Sequence, residues 1–175
     1  GVYCRTKEGD YVPFTGNMSG LLIADYVLSA RREQGLLPER PSDGALVTTI
    51  VSSDMARPVA AEYGLSVIET LTGFKYIGEQ IRLFERARAA NAGRPDAAKG
   101  AYVVEFGFEE SYGCLVGTYA RDKDAVMAVV SLCEAAAYYA GQGMTLWDAM
   151  LAMYEKYGYY AEDLACLTLR GADGA

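Results

Sequence analysis

Two carboxylates and a hydroxyl lie side by side in the segment GFEESYG, residues 107–113. The apolar run before it, residues 101–106, predicts a buried strand, and a long apolar helix is expected from about Ala125. The segment is therefore interpreted as a loop between the carboxyl end of a strand and a helix, where ligands bind in open α/β sheets. Carboxylates accept hydrogen bonds and a hydroxyl also donates them, which suits a neutral, hydroxyl-rich ligand such as a sugar.

Side-chain alternation along an extended loop predicts that Glu109 and Ser111 point to one side and Glu110 to the other. One carboxylate and one hydroxyl on the same side can hold two adjacent sugar hydroxyls. The alternative is a solvated acidic turn in which Ser111 is a local cap. A glycosidase pair is excluded, because adjacent carboxylates on opposite sides of a chain cannot flank one glycosidic bond.

Two further segments carry lysines close to predicted helix starts. Thr72, Gly73 and Lys75 lie in a predicted strand-to-helix loop. Glycine there lets a ligand approach the backbone, and the free amides of the following helix favour anions. Lys123 lies in RDKD, residues 121–124. The alternatives are a tight turn with a surface lysine for the first segment and a solvated charge cluster for the second.

Hydrophobic periodicity predicts the elements that position these residues. A hairpin is expected at 1–14, strands at 45–51, 65–70 and 101–106, and a short edge strand or turn around 115–119. Helices are expected at 19–34, 55–63, 77–91, 123–142 and 146–157, with Thr145 capping the last. The alternation predicts an α/β fold, layered, with a mixed, mostly parallel sheet of about four strands flanked by helices.

Composition narrows the classes of partner and of chemistry. The chain has 175 residues and a net charge of −7, which argues against nucleic acid or a membrane surface as its partner. No apolar run approaches the ~18 residues of a membrane span, and no signal peptide is recognised. Histidine is absent, which excludes a histidine-based triad and most zinc sites.

The cysteines indicate a reducing compartment. They are scattered without a C-x-x-C pair, at Cys4, Cys114, Cys133 and Cys166. Free thiols of this kind are typical of cytoplasmic proteins, so a cytoplasmic location is expected.

Four segments, in order along the chain, resemble the α-D-phosphohexomutases, the phosphoglucomutase/phosphomannomutase family. They are GNMSG at 16–20, VTTIVSSD at 47–54, ETLTGFKYIG at 69–78 and GFEESYG at 107–113. The resemblance implies a domain fragment: the third domain of such an enzyme with a remnant of the second. Residues 1–14 would be the C-terminal hairpin of the preceding, metal-binding domain. Residues 15–160 would be the sugar-recognition α/β domain, and 161–175 the start of a linker to the following domain.

The resemblance also implies the chemistry of the whole enzyme, an isomerase of carbohydrate metabolism that acts as an intramolecular phosphotransferase. It interconverts hexose 1-phosphate and hexose 6-phosphate through a phosphoserine and a hexose 1,6-bisphosphate. Glucose 1,6-bisphosphate is the intermediate or activator, and Mg²⁺ assists. The phosphoserine and the magnesium ligands would lie outside this chain, so no catalytic residue and no metal ligand is expected in it. The fragment alone is expected to be inactive, with hexose phosphate and the neighbouring domains of the same polypeptide as its partners.

Matched residue by residue, the family motif implies a set of substrate-binding side chains, namely Glu109, Ser111, Lys123, Thr72, Gly73, Lys75, Glu110 and Tyr112. Many family members have a Gly-His pair where this chain has Tyr112-Gly113, so the preferred sugar phosphate (glucose, mannose or glucosamine) is left open. The alternative function is a non-catalytic α/β carbohydrate-binding or interdomain packing module. An unrelated α/β enzyme with Lys75 or Lys123 as its base is a further alternative.

Overall fold

The computed structural model describes residues 1–40, 43–91, 100–163 and 165. In that part of the chain the elements follow in the order β1 (Val2–Arg5), β2 (Tyr11–Phe14), α1 (Gly16–Glu33), β3 (Gly44–Thr49), α2 (Ala56–Glu62), β4 (Ser66–Thr70), α3 (Phe74–Ala90), β5 (Val103–Phe108), β6 (Cys114–Val116), α4 (Ala125–Ala140) and α5 (Leu146–Tyr157). Most of the predicted linker at 161–175, including Cys166, lies outside the described residues. Among the helices in the described ranges, none is long and apolar enough to cross a membrane.

Within the described residues, one sheet has the strand order β4-β3-β5-β6. β3 pairs in parallel with β4 and with β5, whereas β6 pairs antiparallel with β5. β1 and β2 form a separate antiparallel hairpin, as the sequence predicts. The mixed, mostly parallel sheet flanked by helices is therefore confirmed, and so is the short edge strand after the acidic loop.

The central strand β3 divides its side chains between two hydrophobic cores. Leu46 packs in the core that contains α1, α2 and α5, whereas Ala45 and Val47 pack in the core beneath α3. All of β3 is buried, as expected for a strand with a parallel neighbour on each side and helices on both faces.

Helices approach β5 closely because glycine occupies the contact points. A Cβ on Gly20 of α1 would lie 2.6 Å from the ring of Phe108, and a Cβ on Gly107 would lie 2.8 Å from Ile77 of α3. These contacts bring one helix against each face of β5 near its carboxyl end.

The element ends differ from the predicted ones at both candidate loops. β5 extends to Phe108 instead of ending at 106, because Phe108 still pairs with Cys114 of β6. α3 begins at Phe74 instead of 77, because Gly73 at φ 115° turns the chain directly into the helix. Lys75 therefore lies in the first turn of a helix and not in a loop.

Side-chain caps define the starts of the last two helices. Asp124 accepts hydrogen bonds from the amides of Val126 and Met127, so α4 begins after Lys123 and not at it. Thr145 caps α5, as predicted, and forms a capping box with Asp148.

Burial of two thiols makes the free energy of unfolding depend on pH in the alkaline range. Desolvation raises the pKa of Cys4 and of Cys114 from 9.0 to about 11. The folded state therefore holds these protons more tightly than the unfolded chain does. Their stabilisation is complete below about pH 9 and is lost as the pH rises towards 11. We expect the free energy of unfolding to fall by roughly 1 kcal/mol per thiol between about pH 8 and about pH 10, measured by urea unfolding under reducing conditions.

The exposed thiol of Cys133 provides the control for this pH dependence. Cys133→Ala is expected to leave the slope of stability against pH unchanged, whereas Cys4→Ala lowers it. Equal slopes in Cys4→Ala and in the unchanged chain would contradict the assignment.

Candidate functional site

The strand order reverses at the carboxyl edge of the sheet. The chain passes from β3 to β4 on one side of β3 and then crosses to β5 on the other side. Because these strands are parallel, their carboxyl ends lie at one edge, and ligands of open α/β sheets bind outside such a reversal. The loop formed by residues 109–113 follows β5 at this edge of the sheet, at the carboxyl end of a strand as predicted.

This loop connects two antiparallel strands and does not lead directly into a helix, which corrects the sequence-based interpretation. The amide of Glu109 donates to the carbonyl of Gly113 at 2.8 Å and closes the loop above the last β5–β6 pair. The backbone turns at Glu110 and Ser111, so side chains there do not alternate as they do along an extended chain. Glu109 is only 5% exposed, whereas Ser111 is exposed.

Among the described residues, one cation lies beside the buried Glu109 carboxylate. Lys123 Nζ lies 3.9 Å from Glu109 Oε1, and the Glu109 side chain is 7% exposed. None of the described residues donates a hydrogen bond to this carboxylate. A carboxylate accepts hydrogen bonds through both of its oxygens, so Glu109 retains the capacity to accept them from a ligand.

Lys123 lies between two carboxylates and above the start of α3. Its Nζ lies 3.2 Å from Asp122 Oδ1 and 5.9 Å from the centroid of the Phe74 ring. Hydrogen bonds from the backbone amide and then the ammonium of Lys123 lower the pKa of the Asp122 carboxyl. Gly113 allows this arrangement, because a Cβ there would lie 2.5 Å from Glu109 Oε1 and 2.7 Å from Lys123 Cδ.

The side chain of Glu110 is held by the neighbouring strand. Thr49 Oγ1 at the end of β3 donates to Glu110 Oε2 at 2.9 Å, and it lies 2.9 Å from Ser52 Oγ. One carboxylate oxygen of Glu110, a residue predicted to bind the substrate, therefore accepts a hydrogen bond from within the protein. Thr49 was not among the residues predicted from the sequence, although a hydroxyl at the end of the adjacent parallel strand was the available signal.

The second predicted segment lies at the same edge of the sheet, beyond the end of β4. Thr72 and Lys75 are exposed, and Lys75 Nζ lies 4.8 Å above the Tyr76 ring. The buried Phe74 connects this segment to Lys123. The structure thus brings Glu109 and Lys123 together, and it places Thr72, Gly73 and Lys75 after the strand on the far side of β3.

In the part of the chain that the structure describes, no group of three or more His, Cys, Asp or Glu side chains is arranged to hold a metal ion.

The comparisons with known proteins define the family. A family model described as "Phosphoglucomutase/phosphomannomutase, alpha/beta/alpha domain III" matches residues 15–157. The chain belongs to the phosphoglucomutase/phosphomannomutase family, and the matched region is its third, α/β/α domain.

Curated relatives support this membership. The glucose 1,6-bisphosphate synthase of Homo sapiens is 32% identical over 88% of this chain and 23% of its own length. The phosphopentomutase of Mus musculus is 32% identical over 89% of this chain and 23% of its own length. A phosphoglucomutase of Staphylococcus aureus is 30% identical over 99% of this chain and 28% of its own length. The chain thus spans between 23% and 28% of the length of these relatives.

Solved structures share the fold. A Thermus thermophilus protein assigned as a phosphomannomutase superposes with a TM-score of 0.59 at 20% identity, over 90% of this chain and 30% of that chain. The phosphoglucomutase parafusin of Paramecium, in an open form, gives a TM-score of 0.56 at 20% identity, over 86% of this chain and 22% of its own. At this identity the likeness shows the α/β fold alone.

The first residue of α1 sets the position of the loop. A Cβ on Gly16 would collide with the carbonyl of Glu110 and the amide nitrogen of Tyr112. Gly16→Ala is therefore expected to displace the loop and to lower the free energy of unfolding by about 1–3 kcal/mol. Chemical denaturation measures the second effect, and shifted amide resonances at 110–112 report the first.

Gly141→Ala is the matched control, since Gly141 is exposed at the end of α4 with φ −60°, a conformation that alanine adopts readily. This control is expected to stay within about 0.5 kcal/mol of the unchanged chain. A Gly16→Ala chain as stable as the control, with unshifted loop resonances, would show that the contact does not position the loop.

Proposed function

We propose that this chain is the sugar-recognition domain of a phosphoglucomutase or phosphomannomutase, and that it binds the sugar ring of a hexose phosphate. The observation that carries the proposal is Glu109, a nearly buried carboxylate at the reversal of strand order to which none of the described residues donates a hydrogen bond. Sugar hydroxyls are neutral donors of the kind that this carboxylate accepts. Membership of the family supports the same substrate class.

The residues of the loop divide the work of recognition in this proposal. Glu109 accepts hydrogen bonds from sugar hydroxyls, and Lys123 compensates its charge from 3.9 Å. The exposed Ser111 donates to or accepts from an adjacent hydroxyl. A hydrogen bond to the charged Glu109 carboxylate contributes on the order of 1.5–3 kcal/mol.

Hydroxyl recognition also suits a mutase cycle. In the proposed reaction a phosphoserine outside this chain transfers its phosphoryl group to the hexose phosphate, and the resulting bisphosphate must bind in two opposite orientations. Two adjacent equatorial hydroxyls can meet Glu109 and Ser111 in either orientation. Mg²⁺ and its ligands are proposed to lie in a neighbouring domain of the same polypeptide. The chain alone is then a binding domain without turnover.

The Lys75 and Thr72 segment is proposed to line the same cleft. Gly73, at φ 115°, exposes backbone in front of the α3 N-terminus, where the free amides favour the phosphate of the ligand. Lys75 adds a cation in the first turn of that helix. This part of the site would contact the phosphate group, whereas the loop after β5 contacts the ring.

The names of the relatives include both a phosphopentomutase and a phosphoglucomutase. A pentose phosphate is therefore the competing ligand within the same reaction class. The alternative of a non-catalytic carbohydrate-binding or packing module uses the same fold without a phosphorylated ligand.

Titration of the 175-residue chain with glucose 1,6-bisphosphate, followed by amide resonances, tests the proposal. We expect shifts that cluster at 109–113 and 72–75, because those backbones line the proposed cleft. Galactose 1,6-bisphosphate, which differs in one hydroxyl, should bind more weakly, and ribose 5-phosphate tests the pentose alternative.

Equal shifts with glucose and galactose bisphosphates would contradict hydroxyl recognition, and shifts confined to other residues would contradict the assignment of the loop. Turnover of hexose phosphate by the chain alone would instead favour an independent enzyme with a lysine base.

Substitutions in the proposed full-length mutase test the same residues during turnover. Glu109→Gln keeps the volume of a buried side chain and removes its charge, and Ser111→Ala removes the hydroxyl. Glu109→Gln is expected to lower kcat/KM about tenfold or more, since hydrogen bonds to a charged group are lost. Ser111→Ala is expected to lower it about fivefold, since a neutral hydrogen bond of about 1 kcal/mol is lost. The melting temperature should stay nearly unchanged in both.

Glu155→Gln is the matched control, because Glu155 is exposed on α5. Unchanged kcat/KM in both Glu109→Gln and Ser111→Ala would refute the assignment of these residues.

A further inference from the structure

Tyr112 has an unusual backbone conformation within the candidate loop. Its φ is 71°, and no other non-glycine residue in the described part of the chain has a positive φ. A bulky side chain in this region is uncommon, and such a conformation persists when the surroundings impose it. An outlier of this kind in the candidate loop points to a constraint that holds it there.

The phenol of Tyr112 supplies that constraint. Its hydroxyl donates to the carbonyl of Phe14 at 2.8 Å. Phe14 is the last residue of β2, is 1% exposed and lies edge-on against the ring of Trp147 at 6.1 Å. The acceptor therefore belongs to a residue packed in the hydrophobic core, and the hydrogen bond connects the loop to it.

Other contacts hold the loop on both sides of the exposed Ser111. Gly16, two residues after Phe14, lets the N-terminus of α1 touch the loop backbone at Glu110 and Tyr112. On the other side, Thr49 holds the Glu110 side chain at 2.9 Å. Ser111 is thus presented between two attachment points.

We propose that Tyr112 is a positioning residue, whose hydroxyl holds the loop in the conformation that presents Glu109 and Ser111, and that it does not recognise the sugar through that hydroxyl. The part of this inference that concerns the ligand rests on the proposed function. A loop held in its binding conformation loses less conformational freedom when the ligand binds. The tether also connects the loop to the β1–β2 hairpin.

Tyr112→Phe removes the tether and keeps the ring. In the 175-residue chain we expect the hydrogen exchange of the Glu109 amide, which closes the loop, to accelerate about fivefold, as the loss of one net hydrogen bond implies. The affinity for glucose 1,6-bisphosphate should fall by a similar factor. The melting temperature should change no more than in the control.

Tyr119→Phe is that control. It removes the hydrogen bond from an exposed phenol to Asp124 at 2.8 Å, outside the loop. It is expected to leave the exchange of the Glu109 amide and the affinity for glucose 1,6-bisphosphate unchanged. Tyr112→Gly is a second test, because glycine adopts the positive φ without strain but lacks the tether. It should show the same faster exchange as Tyr112→Phe.

The outcomes separate the possible roles of this residue. Unchanged exchange of the Glu109 amide in Tyr112→Phe would overturn the tether, and unchanged affinity with faster exchange would overturn its role in presenting the site. If the unchanged chain does not bind the bisphosphate, the proposed function fails. The exchange measurement still decides whether Tyr112 holds the loop.

Discussion

The close approach of two helices to β5 is the constraint on which the site depends. α1 approaches one face of the strand where Gly20 leaves room for the Phe108 ring, and α3 approaches the other face where Gly107 leaves room for Ile77. Both contacts lie directly before Glu109. A larger side chain at either glycine would move a helix outward by more than a well-packed core tolerates. The depth at which the Glu109 carboxylate lies is therefore set by helix packing.

Two buried carboxylates four residues apart, those of Glu105 and Glu109, have different charged neighbours. Glu105, 1% exposed in β5, has Arg31 Nε at 2.8 Å, although the N–H bond does not point at the carboxylate oxygen. Burial raises the pKa of Glu105 despite this neighbour. Glu109, four residues later, faces Lys123 at 3.9 Å. The first carboxylate lies within the strand beside one guanidinium, whereas the second lies beside one ammonium at the carboxyl edge of the sheet.

The loop itself has little internal structure beyond one backbone hydrogen bond, from Glu109 to Gly113. Its shape comes from parts of the chain that are distant in sequence: the end of β2 at Phe14, the end of β3 at Thr49, and Lys123 before α4. Such a loop can be rigid without being stable in isolation, because each attachment exists only in the folded domain. Preorganised acceptors of this kind reduce the conformational cost of binding a ligand.

Local sequence determined much of the fold of this protein. Hydrophobic periodicity identified the order of strands and helices and the largely parallel sheet. The residue type of Thr145 identified the cap of α5. Both follow from side-chain spacing and from hydrogen bonds within a few residues. The sequence also identified the acidic loop as the candidate site. The ends of β5 and α3 were wrong, because pairing with β6 and the turn at Gly73 decide them. The burial of Glu109, the bond between Thr49 and Glu110 and the tether of Tyr112 join residues far apart in sequence, so only the tertiary structure decided them.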